Sequence, residues 1–206
     1  MHLSSVIDIE AIAQQLLRVG YIVLENPLQQ ELSTLLFGRC HEDSPAQFHA
    51  AQVGRGPAMR HDSDIRGDTI RWLDDTDAVD HAYLVWMEEL RLGLNALLFL
   101  GLFNFESHYA IYASGSGYAK HSDVLKGKKN RILSTVLYLN EDWCASDGGE
   151  LNLFEPLGQT VIATVNPTFG KMIIFLSESF PHEVLIAHTK RRSIAGWFRG
   201  REVADH

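Results

Sequence analysis

Cysteine is almost missing from this 206-residue chain. It has two, Cys40 and Cys144, in no CxxC pairing, which excludes a zinc finger or a disulfide-built scaffold. Proline is sparse, at six residues, and no Pro/Gly-rich linker or low-complexity tract divides the chain. Positive charge is in deficit: 18 Lys and Arg against 26 Asp and Glu leave a net −8, which argues against a general nucleic-acid coat. Long apolar runs are absent too. The most apolar stretch, 94–103, is broken by Asn95 and is too short to span a bilayer. The first basic residue after Met1 is Arg18, so no charged stretch precedes an apolar core as in a secretory leader. The expectation is a cytoplasmic protein with reduced thiols and neither a membrane nor a nucleic-acid partner. What is present is a globular balance, 46% hydrophobic and 21% charged, which excludes a disordered chain. The unusual stock is ten histidines.

The N-terminal third reads as helix, strand, helix. Ile9, Ile12, Ala13, Leu16 and Leu17 recur at helical spacing, with Asp8 as cap and Gly20 as stop. Residues 21–24 form a short strand. Asn26-Pro27 opens a second helix whose apolar face is Leu28, Leu32, Leu35 and Leu36. Residues 47–77 are polar, with short strands near 48–53 and 69–73, and a long helix covers 79–98. After Phe103 eight β-rich runs follow, separated by Gly, Asn, Asp or Pro turns: 105–113, 118–122, 131–140, 150–154, 160–165, 172–176, 182–187 and 192–198. Eight strands without intervening helices point to a mainly β, α+β fold. Its core is a double-stranded β-helix, jelly roll or cupin-like, packed against the N-terminal helices. We expect a single domain over 1–206, with 1–103 as helical support and substrate loop and 104–199 as the core.

Two His-x-Asp triplets occur, His41-Glu-Asp43 and His121-Ser-Asp123. Two histidines and a carboxylate on one face of an iron ion leave positions open for substrate and oxygen. His41 follows an amphipathic helix, where a solvated helix end is the plainer reading. His121 lies on a strand, where residues i and i+2 share a face and reach one ion. His182, 59 residues beyond Asp123, supplies a second imidazole from a later strand. Arg191 follows nine residues later, with Ser193 at i+2. An inward Arg with a hydroxyl on the same strand face is what anchoring 2-oxoglutarate needs. Lys190-Arg-Arg192 also reads as a solvated hairpin corner, but strand parity favours one inward Arg.

These motifs resemble the Fe(II)- and 2-oxoglutarate-dependent oxygenases, and within them the EGL-nine-type prolyl 4-hydroxylases and their bacterial relatives. The carrying segments are Ile65-Arg-Gly-Asp-Thr-Ile-Arg-Trp-Leu-Asp74, Tyr118-Ala-Lys-His-Ser-Asp123, Tyr138-Leu-Asn-Glu-Asp-Trp143, Gly148-Gly-Glu-Leu151, Pro181-His-Glu-Val184 and 191–197. The resemblance selects Arg191 over Arg192 and implies His121, Asp123 and His182 as iron ligands. It implies Arg191 and Tyr138 on the distal carboxylate of 2-oxoglutarate, and Tyr112 facing the co-substrate. Leu151 and Trp197 are implied as pocket walls, and Trp72 and Tyr118 as lining of its mouth. Asp68 and Arg131 are implied as a pair tying the substrate loop to the barrel. Trp197 independently shares strand parity with Arg191 and Ser193. The implied cofactors are Fe(II), 2-oxoglutarate and O2, with ascorbate as reductant. The implied partner is a protein with a target proline, elongation factor Tu in bacterial relatives.

Residues 52–67 are expected to act as a substrate lid, and the basic run 126–131 as a solvated loop or a steering patch. His108 shares parity with Tyr112, which would turn it toward the pocket, but a hydrogen-bonded core histidine is the preferred reading. His2, His41, His49, His81, His188 and His206 are read as surface residues. Two other readings keep the iron: a 2-oxoglutarate oxygenase acting on a free amino acid, another side chain or an alkylated base, and a non-catalytic cupin-like sensor.

Overall fold

A computed structural model describes residues 7–42, 47–51, 65–124 and 130–201. Helix α1 (Ile9–Val19) starts where the Asp8 carboxylate accepts from Ala11 N–H and ends at Gly20, whose φ of 82° lets its N–H reach the Leu16 carbonyl. Ile12, Ala13 and Leu16 are buried, whereas Leu17 lies outside that stripe and is exposed. Strand β1 (Tyr21–Leu24) follows. Helix α2 (Gln30–Glu42) begins three residues later than Asn26-Pro27 promised. Asn26 has a φ of 50°, a left-handed turn geometry that cannot be a helix cap, and the first helical turn instead closes from Ser33 N–H to the Gln29 carbonyl. Leu28, Leu32 and Leu36 are buried as expected, but Leu35 is exposed. After β2 (His49–Ala50) and β3 (Asp68–Trp72) comes α3 (Ala78–Leu98), capped by the Asp77 carboxylate.

All eight later strands form: β4 (Asn104–Tyr112), β5 (Tyr118–His121), β6 (Arg131–Tyr138), β7 (Leu151–Phe154), β8 (Val161–Val165), β9 (Met172–Leu176), β10 (His182–Val184) and β11 (Arg191–Arg199). Together with β1, β2 and β3 they make two facing sheets, ordered β1-β9-β6-β11-β4-β3-β2 and β5-β10-β7-β8, the two walls of a double-stranded β-helix. Strand alternation then sorts the side chains. Leu133, Leu137, Ile194 and Phe198 face the helices and join their core with Leu16, Leu36, Leu90 and Leu94. Tyr138, Ile173 and Phe175 point the other way and pack on Leu151 and Leu153 of the smaller sheet. The three helices thus stiffen one wall from outside and leave the space between the walls free at one end. No described helix is long and apolar enough to cross a membrane. Cys40 and Cys144 form no disulfide.

Candidate active site

Between the walls lies a cavity of about 350 Å³, a size suited to a small ligand. His121 ends β5 and His182 opens β10, directly paired in register. Asp123 lies beyond the end of β5, so it reaches the histidines through a bend rather than as an i+2 strand neighbour. Its Oδ1 is 3.8 Å from His121 Nε2 and its Oδ2 is 3.6 Å from His182 Nε2. One ligand atom from each of the three residues lies within 4.8 Å of the others. Each imidazole donates from Nδ1 to a carbonyl two residues earlier, His121 to Ala119 at 2.8 Å and His182 to Phe180 at 3.3 Å. Nε2 is therefore the bare nitrogen in both rings, the tautomer a metal requires. The Ser134 hydroxyl donates to Asp123 Oδ2 at 2.6 Å and lies 2.8 Å from the Ser177 hydroxyl. Burial works to raise the Asp123 pKa, but the two imidazoles and Ser134 outweigh it and hold the carboxyl near 2. Burial, helped by His182, takes His121 down to about 4.

The far end of the cavity holds Arg191, 1% exposed. Its Nε donates to the Gly149 carbonyl at 2.8 Å and its Nη1 to Ser193 Oγ at 3.2 Å. The guanidinium sits over the rings of Tyr112 and Tyr138, at 5.1 and 5.2 Å. Among the described residues Arg191 has no carboxylate partner, and its Nη2 and the Tyr138 hydroxyl have no hydrogen-bond partner. A buried cation without a counter-ion is costly, and this end of the cavity is built to receive an anion. Burial pushes the Tyr138 phenol up to about 12 against the pull of Arg191, and raises Tyr112 further. Gly149 has a φ of 68° and a Cβ there would meet the Arg191 side chain and Ala187, so glycine brings its carbonyl close to the guanidinium. Trp143 donates to the neighbouring Gly148 carbonyl, which makes it a support of this turn. Arg192 faces the other way, over the Phe37 ring.

Trp72, half exposed, stands at the mouth. Tyr118 stacks on His121 with ring centres 3.6 Å apart. Leu151 and Trp197 line the walls, and the Arg131 guanidinium lies 3.6 Å above the Trp197 ring. The expected pairing of Asp68 with Arg131 does not form. Asp68 is held by Arg66 through bonds of 2.7 and 3.0 Å, and Arg131 bonds Glu106 at 3.1 Å. Glu106 is the register partner of Trp197 on β4, beside Arg131, whereas Asp68 sits next to its own i−2 arginine. Burial opposes the charge on Arg66, but Asp68 outweighs it and raises its pKa.

His108 is buried and hydrogen-bonded, as expected, and its parity with Tyr112 also brings it to the cavity wall. His49 is exposed yet also borders the mouth; His81 and His188 are exposed. His2, His206, most of the expected lid and residues 126–129 lie outside the described residues, as does the side chain of His41. Ser134 was not singled out from sequence, although it shares β6 parity with Tyr138. Neither was Arg66, which lies inside the Arg-Gly-Asp segment.

Two bare imidazole nitrogens and one carboxylate form the donor set of a mononuclear iron(II) site with open positions. The unsatisfied Arg191 and Tyr138 groups suit one carboxylate of a dicarboxylate. The residues present therefore fit both iron and 2-oxoglutarate.

Comparison with known proteins leads the same way. The model of the 2OG-Fe(II) oxygenase superfamily matches residues 107–199. The chain is 29% identical to human prolyl hydroxylase EGLN3 over 209 residues, covering 93% of this chain and 83% of that protein. It is 32% identical to human Egl nine homolog 1 over 143 residues, 66% of this chain and 33% of that protein. A solved Pseudomonas putida prolyl-4-hydroxylase superposes with a TM-score of 0.84 at 36% identity, covering 94% of this chain and 99% of that one. A Trichoplax adhaerens prolyl hydroxylase, solved with a hypoxia inducible factor peptide, gives 0.80 at 25% identity over 93% and 88%.

Proposed function

Because the chain belongs to the 2OG-Fe(II) oxygenase superfamily, as one of its EGL-nine-type prolyl hydroxylases, we propose that it hydroxylates carbon 4 of a prolyl residue in a protein substrate. The observation that carries this reading is one cavity with a His-Asp-His donor set toward one end and, at the other, a buried guanidinium with no counter-ion among the described residues. His121, Asp123 and His182 would hold the iron. Arg191, Ser193 and Tyr138 would hold the distal carboxylate of 2-oxoglutarate, with Tyr112 alongside. When bound, iron(II), 2-oxoglutarate and dioxygen supply the oxidising power: one oxygen atom enters the prolyl C–H bond, and 2-oxoglutarate leaves as succinate and carbon dioxide.

The protein's own share is positioning and exclusion of water. Phe180 and Ala119 carbonyls fix the histidine tautomers. Ser134 steadies one oxygen of Asp123. Leu151 and Trp197 keep the inner cavity apolar, and Trp72 and Tyr118 present flat apolar faces to an incoming proline ring. The Arg66–Asp68 pair anchors the start of β3 beside Tyr118. Residues 1–206 act as one catalytic domain in this reading, 1–103 supporting the 104–199 core. The motif resemblance supports two finer points, ascorbate as reductant and elongation factor Tu as the protein target. The two cysteines, in no CxxC pairing, support a cytoplasmic site of action.

The test is mass spectrometry of lysate proteins incubated with the enzyme, Fe(II), ascorbate and 2-oxoglutarate. The expected result is gain of one oxygen atom on a proline, with elongation factor Tu among the modified proteins. Oxygen gained only on free amino acids or other side chains would overturn the prolyl assignment. No consumption of 2-oxoglutarate at all would leave a binding sensor.

A further inference from the structure

His108 is a polar side chain of the cavity wall that the scheme above leaves without a task. It lies on β4, opposite Trp72 of β3 and Ala195 of β11. Its Nδ1 is 3.2 Å from the Tyr109 carbonyl. A carbonyl only accepts, so Nδ1 carries the proton, and in a neutral ring Nε2 is then a bare lone pair. The ring is neutral because burial, helped by Arg66, lowers its pKa to about 4. Among the described residues nothing bonds Nε2. The ring's neighbours are the indoles of Trp72, 5.1 Å away at 85°, and Trp197, 5.4 Å away at 55°, and it borders the open cavity.

An acceptor buried beside two indoles loses its hydration when a ligand fills the cavity, and is satisfied again when the ligand brings a donor. The co-substrate does not. Its distal carboxylate belongs at Arg191, four β11 positions from Ala195, or about 13 Å along the strand, and a carboxylate has no proton to give. Nor does proline itself, whose nitrogen carries no hydrogen in a peptide. The donors nearest a target proline are the backbone N–H groups of the residues around it.

Resting on the prolyl reading, we propose that His108 Nε2 accepts a hydrogen bond from a backbone N–H of the bound peptide beside the target proline. His108 is then a specificity-determining residue: it reads the peptide backbone where the proline offers no donor of its own.

The probe is a short synthetic peptide centred on the proline that gains oxygen in lysate, with versions N-methylated at each neighbouring residue. Binding is measured by calorimetry to zinc-loaded protein, which does not turn over. One methylation should weaken binding to the unaltered protein about threefold to tenfold. His108→Leu should bind the methylated and parent peptides alike, while His108→Gln, which keeps an acceptor, should still discriminate. Independently of any variant's folding, the Nε2 resonance of 15N-histidine-labelled protein should move away from that of a bare imidazole nitrogen when the parent peptide binds. Hydroxylation of the proline with no methylation penalty, or with an unmoved Nε2 resonance, overturns this inference alone. If no proline gains oxygen, the prolyl reading has failed and this inference falls with it.

Discussion

Arg191 and Arg192 are adjacent on β11, yet one is almost fully buried over two tyrosine rings and the other rests on Phe37 on the opposite face. Charge-assisted bonds to a carboxylate are worth about 1.5–3 kcal/mol. Arg191→Ala should therefore raise the KM for 2-oxoglutarate about tenfold to a hundredfold, and Arg192→Ala should leave it nearly unchanged. Equal effects in steady-state kinetics would mean the wrong arginine has been assigned. At the other end of the cavity, Asp123→Ala removes the only carboxylate of the donor set. Iron-dependent turnover should vanish while the thermal transition persists. Ser134→Ala is subtler, because it leaves all three donors in place and removes the 2.6 Å bond that orients Asp123, together with the 2.8 Å contact to the Ser177 hydroxyl. Loss of such an outer contact typically weakens a metal about tenfold or more, which a direct titration with Mn(II) or Fe(II) measures without turnover.

Elements reach the site through their ends. Gly20 closes α1 with a φ of 82°, and a Cβ there would stand 2.7 Å from the Phe180 ring. The Phe180 carbonyl is the group that orients His182. Gly20→Ala should cost about 1–3 kcal/mol through the left-handed backbone alone and should also weaken metal binding, because the displaced ring sits two residues before a ligand. A lowered melting temperature with intact metal affinity would show that α1 and the ligand are uncoupled. The same element scale explains what could be read beforehand. Alternation made the inward face of β11 legible, since 191, 193, 195 and 197 share a parity whatever the sheet does around them. His182 was legible as a strand histidine after a His-x-Asp. The bend that carries Asp123 was not, because it depends on where the pairing of β5 with β10 stops. The Arg131–Glu106 bond was not, because it depends on the register of three strands. The late start of α2 was hidden by Asn26, whose residue type suits both a cap and a left-handed turn.

On the scale of the whole molecule, helices cover one face of the larger sheet and the second sheet covers the other, so His108 and His121 are shielded while still neutral. That placement couples folding to pH. His108 has a folded pKa near 4 through burial, with Arg66 and Arg131 opposing its charge and Asp68 favouring it. Unfolded, it titrates near its ordinary 6.5. Between those values the unfolded chain binds a proton that the folded chain refuses, so stability rises with pH across the window and is fully present above about 6.5. His121 acts in the same direction in metal-free protein. Asp123, depressed to about 2 from 3.8, withdraws its stabilisation only as pH falls below its unfolded value, so the two effects occupy separate windows. Urea unfolding of the metal-free protein should show a lower stability at pH 4.5 than at pH 7. His108→Leu should remove roughly 2–3 kcal/mol of that difference, whatever its own effect on stability at pH 7. An unchanged difference would place the His108 ring in water, and with it the lone pair on which peptide recognition depends.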